Sequence, residues 1–201
     1  MFVKVCGLRT AGDVRAAAEA GADAVGFVFA ESVRQVTVSE AKRLAVEVPD
    51  GMLTVGVFKG ISADDAAEMT LASGMGAVQL HGDYPVEAFD VFADLPVQII
   101  RANVLRDGTD VRVGAFGEDF LLLDSKVAGS GEQWDLAQLD GARPSGRWIL
   151  AGGLRPDNVA AAIAAARPWG VDVSSGVEST RGVKDRELIH AFVAAARSAS
   201  V

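Results

Sequence analysis

Cys6 is the only cysteine in the 201 residues. It closes the opening run Phe2-Val-Lys-Val-Cys6, and Gly7 follows it. Strand side chains alternate sides, so Lys4 and Cys6 share one face while Val3 and Val5 share the other. A thiol has an ordinary pKa of about 8.5, which leaves a few per cent thiolate near neutral pH. A neighbouring cation raises that fraction, and Lys4 lies one inward step below, roughly 7 Å along the strand. Buried there, Lys4 needs a partner, and Asp172 is the candidate. The ordinary fate of a lone cysteine is burial as a small apolar group. Polar residues at the ends of other apolar runs favour chemistry instead: Gln79 and His81, Arg101, Asp124, and Ser174-Ser175-Gly176, with Arg34 in a nearby loop.

Asp124 follows Leu121-Leu-Leu123, and alternation turns Phe120, Leu122 and Asp124 to one side. A carboxyl group at the rim of an apolar interior loses hydration, which raises its pKa and suits it to act as a general acid. Its competing role is a helix cap or an ion-pair partner. The pair Ala151-Gly152-Gly153-Leu154 and Val173-Ser174-Ser175-Gly176 reads as an anion cradle. Glycines let backbone N–H groups approach an anion closely, and a helix N-terminus adds partial positive charge. His81 is either a ligand contact or a satisfied structural histidine, and His190 reads as packing or surface.

These residues need a frame. Strands are expected over 2–6, 24–29, 53–58, 77–80, 97–101, 120–124, 148–151 and 171–173. Helices are expected over 11–20; from a Ser39 cap to about Val48; from a Ser62 cap, ending before Gly74; over 85–93; over 134–139; from Pro156 to about Ala166; and over 185–199. The stretch Asp107 to Gly114 carries only a weak pattern where a fifth helix belongs. Strict alternation of strand and helix implies a parallel sheet with right-handed crossovers. Eight units fit a single α/β domain over residues 1–201, a (β/α)₈ TIM barrel with short loops. In such a barrel, active sites sit at the C-terminal ends of the strands, and the loops after strands 7 and 8 commonly bind phosphate. The rival, a doubly wound sheet, leaves two strands without a place.

Half of the residues are apolar and the net charge is −8. That balance opposes nucleic-acid and anionic-membrane partners. It also requires a local positive site for any anionic small molecule. One cysteine excludes an internal disulfide, and two distant histidines make a poor metal site. No leader pattern and no apolar run of 18 residues is visible, so a cytoplasmic location is expected.

Together, Lys4-Val-Cys-Gly-Leu8, Gly26-Phe-Val-Phe29 with Ser32 and Arg34, Val55-Gly-Val-Phe58, Gln79-Leu-His-Gly82, Leu123-Asp124, Ala151-Gly-Gly-Leu154 with Asn158-Val159, and Asp172-Val-Ser-Ser-Gly-Val-Glu178 resemble the phosphoribosylanthranilate isomerases of tryptophan biosynthesis. The resemblance spans the chain in register. It departs at Val33, where that family usually has proline. It departs again at Ala128-Gly-Ser-Gly131, where Gly-Gly-Thr-Gly is usual.

The resemblance implies a cofactor-free, metal-free Amadori rearrangement of a phosphorylated sugar–anthranilate substrate. It implies Cys6 as general base, Asp124 as general acid and Arg34 as the anchor of the anthranilate carboxylate. The loops at Gly152, Gly153, Ser174, Ser175 and Gly176 read as a phosphate clamp beside that base. The related aldose–ketose isomerases of histidine biosynthesis use two aspartates, and Cys6 argues against them. A non-catalytic sugar-phosphate binder is the alternative from another class.

Overall fold

The computed structural model describes residues 1–106, 108–124 and 143–199. Eight strands close into one parallel barrel in chain order: β1 (Phe2–Cys6), β2 (Ala24–Val28), β3 (Leu53–Phe58), β4 (Ala77–His81), β5 (Gln98–Val104), β6 (Phe120–Asp124), β7 (Trp148–Leu150) and β8 (Gly170–Val173). The helices are α1 (Ala11–Ala20), α2 (Val38–Ala45), α3 (Ala63–Ser73), α4 (Glu87–Asp90), α5 (Val159–Ala166) and α6 (Arg186–Ser198). The (β/α)₈ barrel expected from the alternation is the fold observed. The helix expected over 134–139 and the loop at 128–131 lie outside the described residues. No described helix is long and apolar enough to cross a membrane.

Alternation sorts the strand residues into two cores. Val3, Val5, Val25, Phe27, Val78, Leu80, Leu121 and Leu123 face outward into the larger core beneath the helices. Cys6, Val55, Val57, Ile100, Ala102, Leu122, Ile149 and Ala151 fill the barrel itself. Phe2 stacks on Trp169 at 4.7 Å, and Trp169 lies 5.2 Å from Phe120. These rings belong to the N-terminal ends of their strands and close that end of the barrel.

Several boundaries differ from expectation for local reasons. Thr37, not Ser39, caps α2: its hydroxyl accepts from the Glu40 N–H at 3.2 Å, and the Glu40 carboxylate accepts from the Thr37 N–H at 2.7 Å. This reciprocal box satisfies two otherwise orphaned donors. Helix α5 starts at Val159, after Arg155–Asn158 form a turn, rather than at Pro156. Helix α4 is a single turn. Among the described residues between β5 and β6, turns replace a helix.

Strand β5 continues to Val104, and this moves Arg101 away from the mouth. Arg101 pairs in register with outward-facing Leu80 and is 1% exposed. It donates to the Glu118 carboxylate at 2.8 Å and to the carbonyls of Asp110 and Arg112 at 2.8 and 2.9 Å. Its guanidinium also lies over Phe116. Arg101 therefore braces the β5–β6 connection instead of ending a strand at the mouth.

Candidate active site

The parallel register sets which side chains reach the mouth. Cys6 ends β1 opposite Gly26 of β2. A Cβ at position 26 would lie 2.7 Å from the Cys6 sulfur, so glycine there makes room for the thiol. One inward step below, fully buried Lys4 donates to Asp172 at 2.9 Å, as expected. A buried ion pair contributes little net stability, because desolvation offsets the attraction. Its consequence is electrostatic. Burial raises the Cys6 thiol above its ordinary pKa, Lys4 opposes that rise, Asp172 adds to it, and Lys184 opposes it. The balance leaves the group as a thiol at neutral pH, with a thiolate fraction that grows as pH rises.

This yields a direct check, since Cys6 is the only cysteine. The thiolate absorbance near 240 nm should titrate with a midpoint above that of the same chain in denaturant. A midpoint at or below the denatured value would mean that the cations outweigh burial.

At the strand ends opens a cleft of about 730 Å³ lined by Arg34, Asp124, Ala151–Leu154, Asp172–Gly176 and Glu178–Arg181; Cys6, on the strand next to β8, is buried and is not part of its wall. Asp124 ends β6. Gly152 and Gly153 follow β7, with φ of 88° and 65°. That left-handed pair turns the chain tightly where side chains would strain it. Asn158 fixes the turn: it accepts from the Arg155 N–H at 2.8 Å and donates to the Gly153 carbonyl at 3.0 Å. After β8, Ser175–Val177 form one 3₁₀ turn. A Cβ on Gly176 would lie 1.8 Å from the Leu154 carbonyl oxygen, so the two loops touch backbone to backbone. The result is a polar concavity at strand ends 7 and 8, with the Asp124 carboxyl on one flank and the Cys6 strand on the other.

Arg34 reaches this cleft across Gly7, where a Cβ would lie 2.6 Å from the Arg34 Cδ. Its fork is engaged by the carboxylate of Glu178, Nε at 2.6 Å and Nη2 at 2.8 Å. Glu178 also accepts from the Gly182 N–H and from Lys184 Nζ, each at 2.9 Å. Burial alone would raise the Glu178 carboxyl, but the bonds from Arg34, Gly182 and Lys184 outweigh it and hold the pKa at about 2.

These partners sit on a small hairpin, β9 (Glu178–Thr180) and β10 (Val183–Lys184), that the sequence reading did not anticipate. The polar run Ser179-Thr180-Arg181 hid it, and Gly182 at φ 84° was its one turn signal.

His81 ends β4, opposite β8 in the ring, and is not part of the cleft wall. Burial first, then the charges of Lys59 and Lys4, lower its pKa and keep the imidazole neutral. Gln79 stays inside the barrel, 3% exposed. His190 lies on α6, 4.0 Å from Glu19, and is not part of the cleft wall.

The family model for N-(5'-phosphoribosyl)anthranilate isomerase matches residues 3–195. An enzyme of that name from Streptococcus pneumoniae is 46% identical over 191 residues, covering 95% of this chain and 93% of its own length. A crystal structure of TrpF from Jonesia denitrificans superposes with a TM-score of 0.92 at 46% identity, covering 100% of this chain and 98% of that one. The phosphoribosyl anthranilate isomerase of Thermotoga maritima superposes with a TM-score of 0.86 at 34% identity, covering 98% and 99%. A further isomerase structure, at 33% identity and a TM-score of 0.83 with the same coverage, holds reduced 1-(o-carboxyphenylamino)-1-deoxyribulose 5-phosphate. With the family model matching residues 3–195 and the barrel superposing over the whole chain, the chain belongs to the N-(5'-phosphoribosyl)anthranilate isomerase family.

Proposed function

We propose that the chain converts N-(5-phosphoribosyl)anthranilate to 1-(2-carboxyphenylamino)-1-deoxyribulose 5-phosphate, with Asp124 as general acid and Cys6 as general base. Asp124 donates a proton to the furanose ring oxygen. The bond from that oxygen to C1 breaks, and the anthranilate nitrogen supplies its electron pair to form an iminium. The Cys6 thiolate then takes the proton from C2, giving an enolamine. Protonation at C1 and loss of the hydroxyl proton yield the ketone. C1 is reduced as C2 is oxidised, so the rearrangement balances with proton transfers alone and calls for no cofactor.

The observation that carries this reading is the order of the ring. Strands β7 and β8 lie between β6, which bears Asp124, and β1, which bears Cys6. A phosphate on the loops of Gly152, Gly153, Ser174, Ser175 and Gly176 therefore sets a ribose between acid and base. The phosphate is held by backbone N–H groups of Gly153, Ser175 and Gly176, donors that keep their place without a flexible side chain. Arg34 receives the anthranilate carboxylate, to which a guanidinium is geometrically matched.

The test is turnover of freshly made phosphoribosylanthranilate, followed by the loss of its fluorescence, with and without a metal chelator. Turnover unaffected by the chelator supports the reading. An inactive folded protein would return the chain to the class of sugar-phosphate binders.

A further inference from the structure

Lys184 is a buried cation that the rearrangement itself does not use. Its side chain is 1% exposed, on the last strand of the hairpin. Its ammonium has three donors, and it points them at two separate parts of the mouth. One goes to Glu178 at 2.9 Å, and others to the Ser174 carbonyl at 2.8 Å and the Ser174 hydroxyl at 3.4 Å. Glu178 in turn grips Arg34 by its Nε and Nη2 edge. One chain of bonds thus runs from the loop after β8, through Lys184 and Glu178, to the arginine from the loop after β2.

The charges along it alternate. Arg34 alone with Glu178 would be a neutral pair, and a neutral pair has little attraction for a carboxylate. The Lys184 charge leaves the cluster net positive in a protein whose overall charge is −8. Burying a lysine is costly unless it is paired and hydrogen-bonded, and here the pairing partner is the residue that orients Arg34.

We propose that Lys184 is a positioning residue for substrate selection: it neutralises the Glu178 carboxylate that holds Arg34, and so keeps Arg34 attractive to the substrate's aromatic carboxylate while tying it to the phosphate-binding loop. This rests on the substrate reading above. Lys184 does not touch the reacting atoms, and its effect is on which ligands bind.

The measurement is a ratio of two dissociation constants by calorimetry. One ligand is reduced 1-(o-carboxyphenylamino)-1-deoxyribulose 5-phosphate. The other is the same compound with a phenylamino group that lacks the carboxyl. Both share the phosphate and the sugar, so damage to the fold or to the phosphate loop affects both and cancels in the ratio. In the wild type, one charge-assisted bond should favour the carboxylated ligand by roughly 10- to 150-fold.

In Lys184→Met the preference should fall below about 3-fold, because Arg34 is then neutralised by Glu178. Lys184→Gln, which keeps donors for Ser174 and Glu178 but no charge, is the second variant should the first not fold, and its preference should fall likewise. A wild-type preference near one would overturn the Arg34 reading and this proposal with it. A strong wild-type preference that survives in either folded variant would overturn the role of Lys184 alone.

Discussion

Cys6→Ser lowers kcat by at least about 100-fold, and Asp124→Asn lowers it by a similar or larger factor, because a positioned acid or base contributes roughly 10²- to 10⁴-fold. Serine keeps the shape of the thiol but ionises far less readily. Asparagine keeps the shape of the carboxyl but has no carboxyl proton to give. Both positions have room for the swap. The thiol lies in the space left by Gly26, and Asp124 lines the open cleft. Each variant should stay folded and bind the reduced product analogue within a few-fold of the wild type, since neither position is one of the backbone donors proposed to hold the phosphate. Stopped-assay kcat beside calorimetric Kd separates the two effects. Near-normal kcat in Cys6→Ser would make the thiol a packing group and send the search for a base elsewhere on the mouth.

The legibility of this chain follows the range of the forces involved. Alternation along each strand is local, so the inward face of Lys4 and Cys6, the inward turn of Asp124 and the Lys4–Asp172 pair could all be read from residue order. Caps are local as well. The Thr37-x-x-Glu40 spacing was available, but Ser39 drew the boundary two residues late. Arg101 was misplaced because an apolar run ending in arginine looks like a strand end. The pairing of β5 with β6 carries the strand on to Val104 and gives Arg101 a buried carboxylate that lies 17 residues away. Long-range polar pairing was the least visible. Arg34 and Glu178 are 144 residues apart, and nothing in either segment announces the other. Lys184, in a short polar hairpin, carried no periodic signal, and its importance appears only once three loops meet.

Gly176→Ala should cost about 100-fold or more in kcat/KM, chiefly through lost phosphate binding. The added methyl would lie 1.8 Å from the Leu154 carbonyl oxygen and 2.9 Å from its carbonyl carbon. Both are backbone atoms, so no rotamer change relieves the clash, and the loops after β7 and β8 must separate. Each charge-assisted bond to the phosphate is worth about 1.5–3 kcal/mol, and parting the loops misaligns donors on both sides. Inorganic phosphate gives the local readout: it should compete with substrate in the wild type and compete at least 10-fold more weakly in the variant. Gly12→Ala is the matched control. It is an exposed residue of α1 with its nearest neighbour, the Thr10 hydroxyl, at an ordinary 3.6 Å. Alanine in a helix is favoured over glycine by roughly 0.5–1 kcal/mol, so this variant should keep full activity and melt slightly higher. If Gly176→Ala binds phosphate as the wild type does, the anion does not sit where the two loops meet, and the backbone cradle must be placed elsewhere on the mouth.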